Sequence, residues 1–265
     1  MSELLVEKIM EQVMKKVGES KVEEKVCSAP VKNFTAAGLT EFVGTAIGDT
    51  IGLVIANVDY NLHEAMGIDK KYRSIGILGA RTGAGPHIFA ADEAVKATNT
   101  EIISIELPRD TKGGAGHGSL IIFGAEDVSD VRRAIEVALK ELDRTFGDVY
   151  SNEAGHLEFQ YTARASYACN KAFNAPIGKS FGIIVGAPAA IGVVIADTAV
   201  KAASVEVISY SSPSGGTSHS NESILAISGD SGAVRQALIA AREVGITLLE
   251  ALGGASAPSS TKPYI

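Results

Sequence analysis

The sequence predicts an α/β protein in which one unit is written twice, and three observations lead there. The stretch Gly76-Ile77-Leu78-Gly79, followed by Ala91-Asp92-Glu93-Ala94-Val95-Lys96-Ala97, returns as Gly182-Ile183-Ile184-Val185-Gly186, followed by Ala196-Asp197-Thr198-Ala199-Val200-Lys201-Ala202. The next strands recur as well: Glu101-Ile102-Ile103-Ser104 matches Glu206-Val207-Ile208-Ser209, and Leu120 to Gly124 matches Leu225 to Gly229. Within each copy, apolar runs of strand length alternate with Ala-rich runs of helix length, the pattern of a sheet covered by helices. Two like units suit a pseudosymmetric assembly, whereas a catalytic site is usually written once. The repeat therefore favours assembly over catalysis.

The elements follow in order. Residues 3–17 place Leu5, Ile9, Met10, Val13 and Val17 on one face of a helix, with Glu7, Lys8, Glu11 and Lys15 mostly elsewhere. So short an amphipathic helix is marginal alone and needs a partner surface. Gly18 ends it, and residues 19–38 read as a linker. Phe42 to Val58 reads as strands with a turn near Gly48-Asp49, and Tyr60 to Met66 as a short helix. Strands are expected at 74–80, 101–107 and 119–124, and helices at 86–98 and 127–145. Phe146 to Ala154 reads as a connection, and the alternation from His156 to Cys169 as a strand. The second copy continues with strands at 181–187, 205–211 and 223–228 and helices at 188–203 and 231–252. The tail from Gly253 reads as mobile. Each unit then has two helices on one face of a sheet of about four to six strands, with alanine letting the helices approach closely.

Composition narrows the function. The chain has 265 residues, 46% of them hydrophobic and 21% charged, enough for a sizeable core in one large or two ordinary domains. A net charge of −7 excludes the basic footprint of general nucleic-acid binding. Two cysteines, Cys27 and Cys169, fit a reducing compartment with no structural disulfide. No apolar run reaches the roughly 18 residues of a membrane span, and the start lacks the pattern of a signal peptide. The expectation is a soluble, cytoplasmic protein with no nucleic-acid or membrane partner.

Few constellations carry chemistry. Gly79-Ala80-Arg81-Thr82-Gly83-Ala84-Gly85 follows a strand and opens a helix, with Glu106 about 20 residues on. That suggests a dinucleotide site, but the spacing is G-x-x-x-G-x-G, and Gly186 to Gly192 has Ser211 where an acid should be. The same glycines serve a tight strand-to-helix turn. Two Gly-rich loops occupy matching places: Pro108 to Gly118, with Lys112, Gly113, Gly114 and His117, and Pro213 to Ser220, with Gly215, Gly216, Thr217, Ser218 and His219. Such loops either line an opening that favours small polar solutes or form surface hairpins. None of His63, His87, His117, His156 and His219 has a metal-ligand spacing. Ser166 and Ser212 lack a nucleophile-elbow context, and Asp49, Asp59 and Asp92 form no carboxylate pair. Cys169 reads as core. Catalytic, cofactor and metal sites are therefore expected to be none. A nucleotide-binding oxidoreductase using Gly79–Gly85 and a two-lobed small-ligand sensor stand as alternatives.

The segments Ala91-Asp92-x-x-Val95-Lys96-Ala97 and Ala196-Asp197-x-x-Val200-Lys201-Ala202, with Gly229-Asp230-Ser231-Gly232-Ala233-Val234, resemble bacterial microcompartment shell domains. Phe42-Val-Gly-Thr-Ala-Ile-Gly-Asp-Thr50, Arg81-Thr-Gly-Ala-Gly-Pro-His87 and Arg109-Asp-Thr-Lys-Gly-Gly-Ala-Gly-His-Gly118 resemble the large tandem-domain members from propanediol-utilisation compartments, over about residues 40–265. The resemblance implies an α/β (α+β sandwich-like) fold class: two tandem, circularly permuted shell domains, each a mixed, mainly antiparallel sheet with helices on one face. The domains fall at 38–150 and 151–254, after an N-terminal helix and linker at 1–37 and before a tail at 255–265. It implies a homotrimer that acts as a pseudohexamer and tiles a shell with other shell proteins. Lys96 and Lys201 correspond to the tile-edge lysine. The two Gly-rich loops correspond to pore loops passing small diol-like metabolites. The first helix, through Leu5, Ile9 and Val13, is expected to anchor encapsulated enzymes inside the shell.

Overall fold

The structure, a computed structural model, describes residues 39–109, 111, 115–258 and 263–265. Its element order is the same motif passed through twice. The first copy runs β1 (Phe42–Ala46), β2 (Thr50–Ile55), α1 (Tyr60–Met66), β3 (Ser74–Ala80), α2 (Gly85–Ala97), β4 (Glu101–Glu106), β5 (Ser119–Ala125) and α3 (Val128–Thr145). A 3-10 turn at Phe146–Asp148 leads into the second: β6 (Val149–Asn152), β7 (Gly155–Thr162), α4 (Tyr167–Phe173), β8 (Ser180–Ala187), α5 (Ala189–Ala202), β9 (Val205–Ser211), β10 (Ser223–Gly229) and α6 (Ser231–Gly253). A two-residue strand, β11 (Ala257–Pro258), closes the order.

Apart from β11, which has no counterpart in the first sheet, the sheets match strand for strand. The first has the order β1-β2-β3-β5-β4 and the second β11-β6-β7-β8-β10-β9. All the ladders between named strands are antiparallel. In each copy the strand pair that begins the sequence lies at the far edge of the sheet, beside the third strand. That is the arrangement expected of a permuted unit.

Glycine lets the long helices sit on the sheets. A Cβ at Gly76 would lie 3.0 Å from Ile135 of α3, and one at the equivalent Gly182 would lie 2.9 Å from Leu238 of α6. The first apolar core crosses from one copy into the other: Phe89, Ile121 and Leu142 belong to the same cluster as Cys169, Phe181 and Val185. A second core, around Leu157, Phe159, Ile195 and Leu238, is confined to the second copy.

Three expectations are corrected. Residues 149–152, read as a connection, form strand β6 against β7. The alternation read as one strand from His156 to Cys169 stops at Thr162, and Cys169 lies in helix α4. The Asp92 carboxylate, supplied by the other copy, accepts the N–H groups of Ser166 and Cys169 at 3.0 Å and so caps that helix. The described parts of the tail are held, with β11 paired to β6 and Tyr264 hydrogen-bonded to β7.

Candidate functional site

Two surfaces and two loops concentrate the features that bear on function. The first surface is the junction of the copies inside the chain. Phe89 of α2 stacks on Phe181 of β8 at 6.0 Å between centroids, and Phe173 of α4 packs on the same ring at 6.1 Å. Around this apolar centre lies a set of polar ties. Lys96 Nζ sits 2.9 Å from both Asp92 and Glu93 and donates to Thr162 Oγ1 across the junction. The N–H of Gly85 donates to Glu158 Oε2 at 2.9 Å, and His156 Nε2 lies 2.9 Å from the other oxygen. His117 Nδ1 contacts Glu222, and Gln160 donates its amide to the Thr145 carbonyl at 2.8 Å. Nearby His87 is fully buried, its ring nitrogens 2.7 Å from the Gly83 carbonyl and the Thr50 hydroxyl. Burial pulls its pKa down to about 4, against the raising effect of the Gly83 carbonyl. Burial likewise pushes the Cys169 thiol well above its ordinary value, as for a core thiol.

The second surface is the same face of the second copy, and there it is bare. Val193 and Val194 stand in α5 where Ile88 and Phe89 stand in α2. They are 53% and 46% exposed, against 0% and 1%. Val207 of β9, matching Ile102 of β4, is 50% exposed against 9%. Lys201 Nζ reaches only Asp197, at 2.6 Å, and both side chains are open to solvent.

The element that would cover such a face is bare too. By strand register, Ile51 opposite Gly79 is the counterpart of Glu158 opposite Val185, and Leu53 opposite Ile77 is the counterpart of Gln160 opposite Ile183. Inside the chain that strand face is polar and buried, with Glu158 at 3% and Gln160 at 0%. On the first copy it is apolar and open: Ile51 is 40% exposed and Leu53 half-buried. Leu62 and Met66 of α1 are exposed as well, at 38% and 42%.

The loop between β9 and β10 is a built turn. Ser212 and Gly215 exchange backbone hydrogen bonds, His219 N–H donates to the Pro213 carbonyl, and Ser220 N–H to that of Thr217. Ser218 and His219 take left-handed backbone, with φ of 49° and 66°. Gly215, Gly216, Ser218 and His219 are exposed. Thr217 is buried, its hydroxyl donating to the Ser220 carbonyl. In the loop between β4 and β5, Lys112, Gly113 and Gly114 lie outside the described residues. His117 is buried against Glu222, which joins the ends of the two loops to each other. The Gly79–Gly85 turn holds a protein carboxylate where the dinucleotide reading puts a pyrophosphate. Glu158 takes the Gly85 N–H, and a Cβ at Gly83 would lie 2.4 Å from Glu158 Oε1. Leu5, Ile9 and Val13, expected to anchor enzymes, also lie outside the described residues.

Among the described residues, no three His, Cys, Asp or Glu side chains are grouped to hold a metal ion, and no helix is long and apolar enough to cross a membrane. Sequence reasoning missed Asp92, Glu158, Glu222 and Tyr264 as junction residues. The one available signal was Glu158 and Gln160, two polar residues on the strand face where β2 carries Ile51 and Leu53.

Comparison with known proteins agrees with this geometry. The BMC domain model matches residues 74–154 and 180–256. A bacterial microcompartment shell protein PduB from Citrobacter freundii is 68% identical over 264 residues, covering 98% of this chain and 97% of its own. The PduB shell protein of Limosilactobacillus reuteri is 58% identical over 80% of this chain and 90% of its own. Among solved structures, a trimeric bacterial microcompartment shell protein PduB superposes with a TM-score of 0.82 at 55% identity, over 86% of this chain and all of that one. EtuB from Clostridium kluyveri gives 0.81 at 58% identity, over 86% of this chain and 99% of that one.

Proposed function

The chain belongs to the bacterial microcompartment shell-protein family, and on that premise we propose that three copies close head to tail into a flat ring of six shell domains, taken as 38–150 and 151–254 in each chain. One observation carries this reading. The face of α5 and β9 left bare on the second domain is the face that α4, β7 and β8 cover on the first. The bare, apolar face of β2 and α1 is the counterpart of that cover. One chain's second domain therefore offers what the next chain's first domain lacks. A heterologous contact of this kind must close on itself or run on as a filament, and three chains close it with six domains. The trimeric relative supports closure.

The ring is a tile in a shell wall within the cytoplasm, built with other shell proteins of the propanediol-utilisation type. Its role is structural, with no cofactor and no catalysis. The loops at 108–119 and 212–222 line openings for small polar solutes such as diols. Backbone groups freed by Gly215 and Gly216, with the Ser218 hydroxyl and the His219 imidazole, suit neutral hydroxylated molecules better than apolar ones. Lys201, exposed on the outer face of α5, is the better placed of the two candidate edge lysines, because Lys96 is engaged inside the chain. The helix at 3–17, through Leu5, Ile9 and Val13, docks on encapsulated enzymes.

Light scattering with electron microscopy tests the reading. The expected mass is three times the 27.5 kDa chain, with flat arrays at high concentration. A chain that stays monomeric overturns it. Deleting residues 1–37 should leave the trimer and release the cargo enzymes, and loss of the trimer on that deletion counts against the anchoring role.

A further inference from the structure

Residues 263–265 return to the junction and occupy a groove built to receive them. At its centre is Asp148, fully buried in the turn that joins the two domains. Its carboxylate accepts the backbone N–H groups of both Tyr264 and Ile265, at 2.8 and 3.1 Å. Arg242 of α6 donates to Asp148 at 2.6 Å and to the Ile265 carbonyl at 3.0 Å, so acid and base together grip the peptide backbone.

The tyrosine side chain completes a strand. Strand β6 begins at Val149, opposite Glu158, so the Tyr161 N–H of β7 has no ladder partner on that side. The Tyr264 hydroxyl accepts that N–H at 2.8 Å and lies 3.2 Å from both Gln160 Oε1 and the Tyr161 carbonyl. Arg144 of α3 stands 4.8 Å over the ring, held by Glu141. Burial pushes the phenol well above its usual pKa, so it stays a neutral donor and acceptor. An open cavity of about 280 Å³ beside the ring, lined by Glu93, Arg144, Thr162 and Arg235, continues the groove along the junction.

We propose that this groove is a docking site for a tyrosine–aliphatic peptide segment, filled in cis by Tyr264 and Ile265, and that the bound segment is a clasp across the two domains. Its contacts come from both: Arg144 from the first, Gln160, Tyr161 and Arg242 from the second, and Asp148 between them. Recognition runs through backbone N–H groups, one phenol and the Ile265 side chain, which packs against the second core. The site therefore reads an extended segment ending in an aromatic and an aliphatic residue, and a peptide supplied in trans can fill it once the native occupant is removed. The groove belongs to a single chain, so its occupancy is readable whether or not the trimer forms.

The full chain carrying Tyr264→Ala tests this with a fluorescent peptide Lys-Pro-Tyr-Ile, acetylated and amidated at its ends. The variant should bind the peptide saturably and the parent chain at least about tenfold more weakly, its groove being filled. The peptide with Phe for Tyr should lose about tenfold, because Gln160 and the Tyr161 N–H are left unpartnered; Ala for Tyr should abolish binding. Amide exchange over residues 155–162 should quicken in the variant and slow again when the peptide is added. A variant with unchanged exchange, or one whose exchange the peptide does not restore, overturns the clasp. Equal binding of the tyrosine and alanine peptides overturns the recognition.

Discussion

Val194→Glu separates the two halves of the assembly argument, because the same substitution has opposite consequences at two equivalent positions. Val194 is 46% exposed on the isolated chain, while Phe89, its counterpart, is 1% exposed beneath the second domain. If the ring repeats the internal junction, closure covers about half a valine side chain. That is worth about 1 kcal/mol, taking about 1.5–3 kcal/mol for full burial. A carboxylate there forfeits this and is itself buried without a partner, for a total of about 4 kcal/mol at each junction. Each contact then weakens about a thousandfold. The fold of the single chain should change by less than about 0.5 kcal/mol, since the site is on its surface. Phe89→Glu puts the same charge in the first core and should prevent folding, because losing a buried Phe alone costs about 3–5 kcal/mol. Sedimentation or light scattering reads the mass, and urea denaturation the stability. The expected result is a folded Val194→Glu monomer beside an unfolded Phe89→Glu chain. A Val194→Glu trimer at micromolar concentration refutes the mapping of α2 onto α5. So does a variant that unfolds as Phe89→Glu does.

The remaining predictions concern the chain itself. Lys201→Ala should leave stability within about 0.5 kcal/mol, its pair with Asp197 being exposed, while weakening array formation seen by electron microscopy. Lys96→Ala should cost about 1–2 kcal/mol at neutral pH, because buried Asp92 loses its cation. Burial lowers the Lys96 pKa, but Glu93 and Asp92 outweigh it and leave it raised, so this contribution is fully present at neutral pH and fades only above about pH 10.5. His87 behaves oppositely. Its folded pKa of about 4 lies below the ordinary value of 6.5, so the unfolded chain takes up the proton first. Stability then falls by about 3 kcal/mol as pH drops from about 6.5 to about 4, and His87→Gln should flatten the urea midpoint over that range. Gly182→Ala should cost about 1–3 kcal/mol, its Cβ pressed against Leu238 and the Gln160 carbonyl, whereas Gly215→Ala, with open space around it, should cost less than about 0.5 kcal/mol.

The parts of the fold legible in the sequence are those set by local pattern. The Ala-rich helices and apolar strands are written in local spacings and the duplication in the recurrence of whole segments, and α2, α5, β3 and β8 fall where periodicity puts them. What escaped is made by partners far apart in the chain. Helix α4 starts at Ser166 because Asp92, 74 residues earlier, accepts its N–H, and nothing near residue 166 announces that. Strand β6 is four residues long and takes its identity from pairing with β7 on one side and β11 on the other. The tail from Gly253 has a composition that reads as loose, and its attachment depends on Asp148, more than 100 residues away. Both Gly-rich loops are plain in the sequence, but nothing there foretells that His117 turns inward to Glu222, 105 residues on.

The two junctions explain how duplicated domains can tell inside from outside. If both domains carried the same faces, a first domain would pair as well with another chain's first domain as with its own partner, and the ring would lose its register. Here the inner strand face reads Glu158, Gln160, Thr162 and the outer one Ile51, Leu53, Ile55. Across the junction the inner acid accepts the Gly85 N–H and the inner amide donates to the Thr145 carbonyl. The bulky apolar counterparts could take neither bond, and leaving such groups unpaired costs about 1–3 kcal/mol each. The outer face needs no matched donors and gains simply by burial. Polar groups at the inner junction thus fix which domain lies next to which, and in the proposed ring the apolar outer face would supply association without competing for that pairing. Glu158→Ile should therefore lower the stability of the single chain in urea denaturation, because the Gly85 N–H and His156 lose their partner, whereas Ile51→Glu, at a position 40% exposed, should leave the fold intact and weaken only the association read by light scattering.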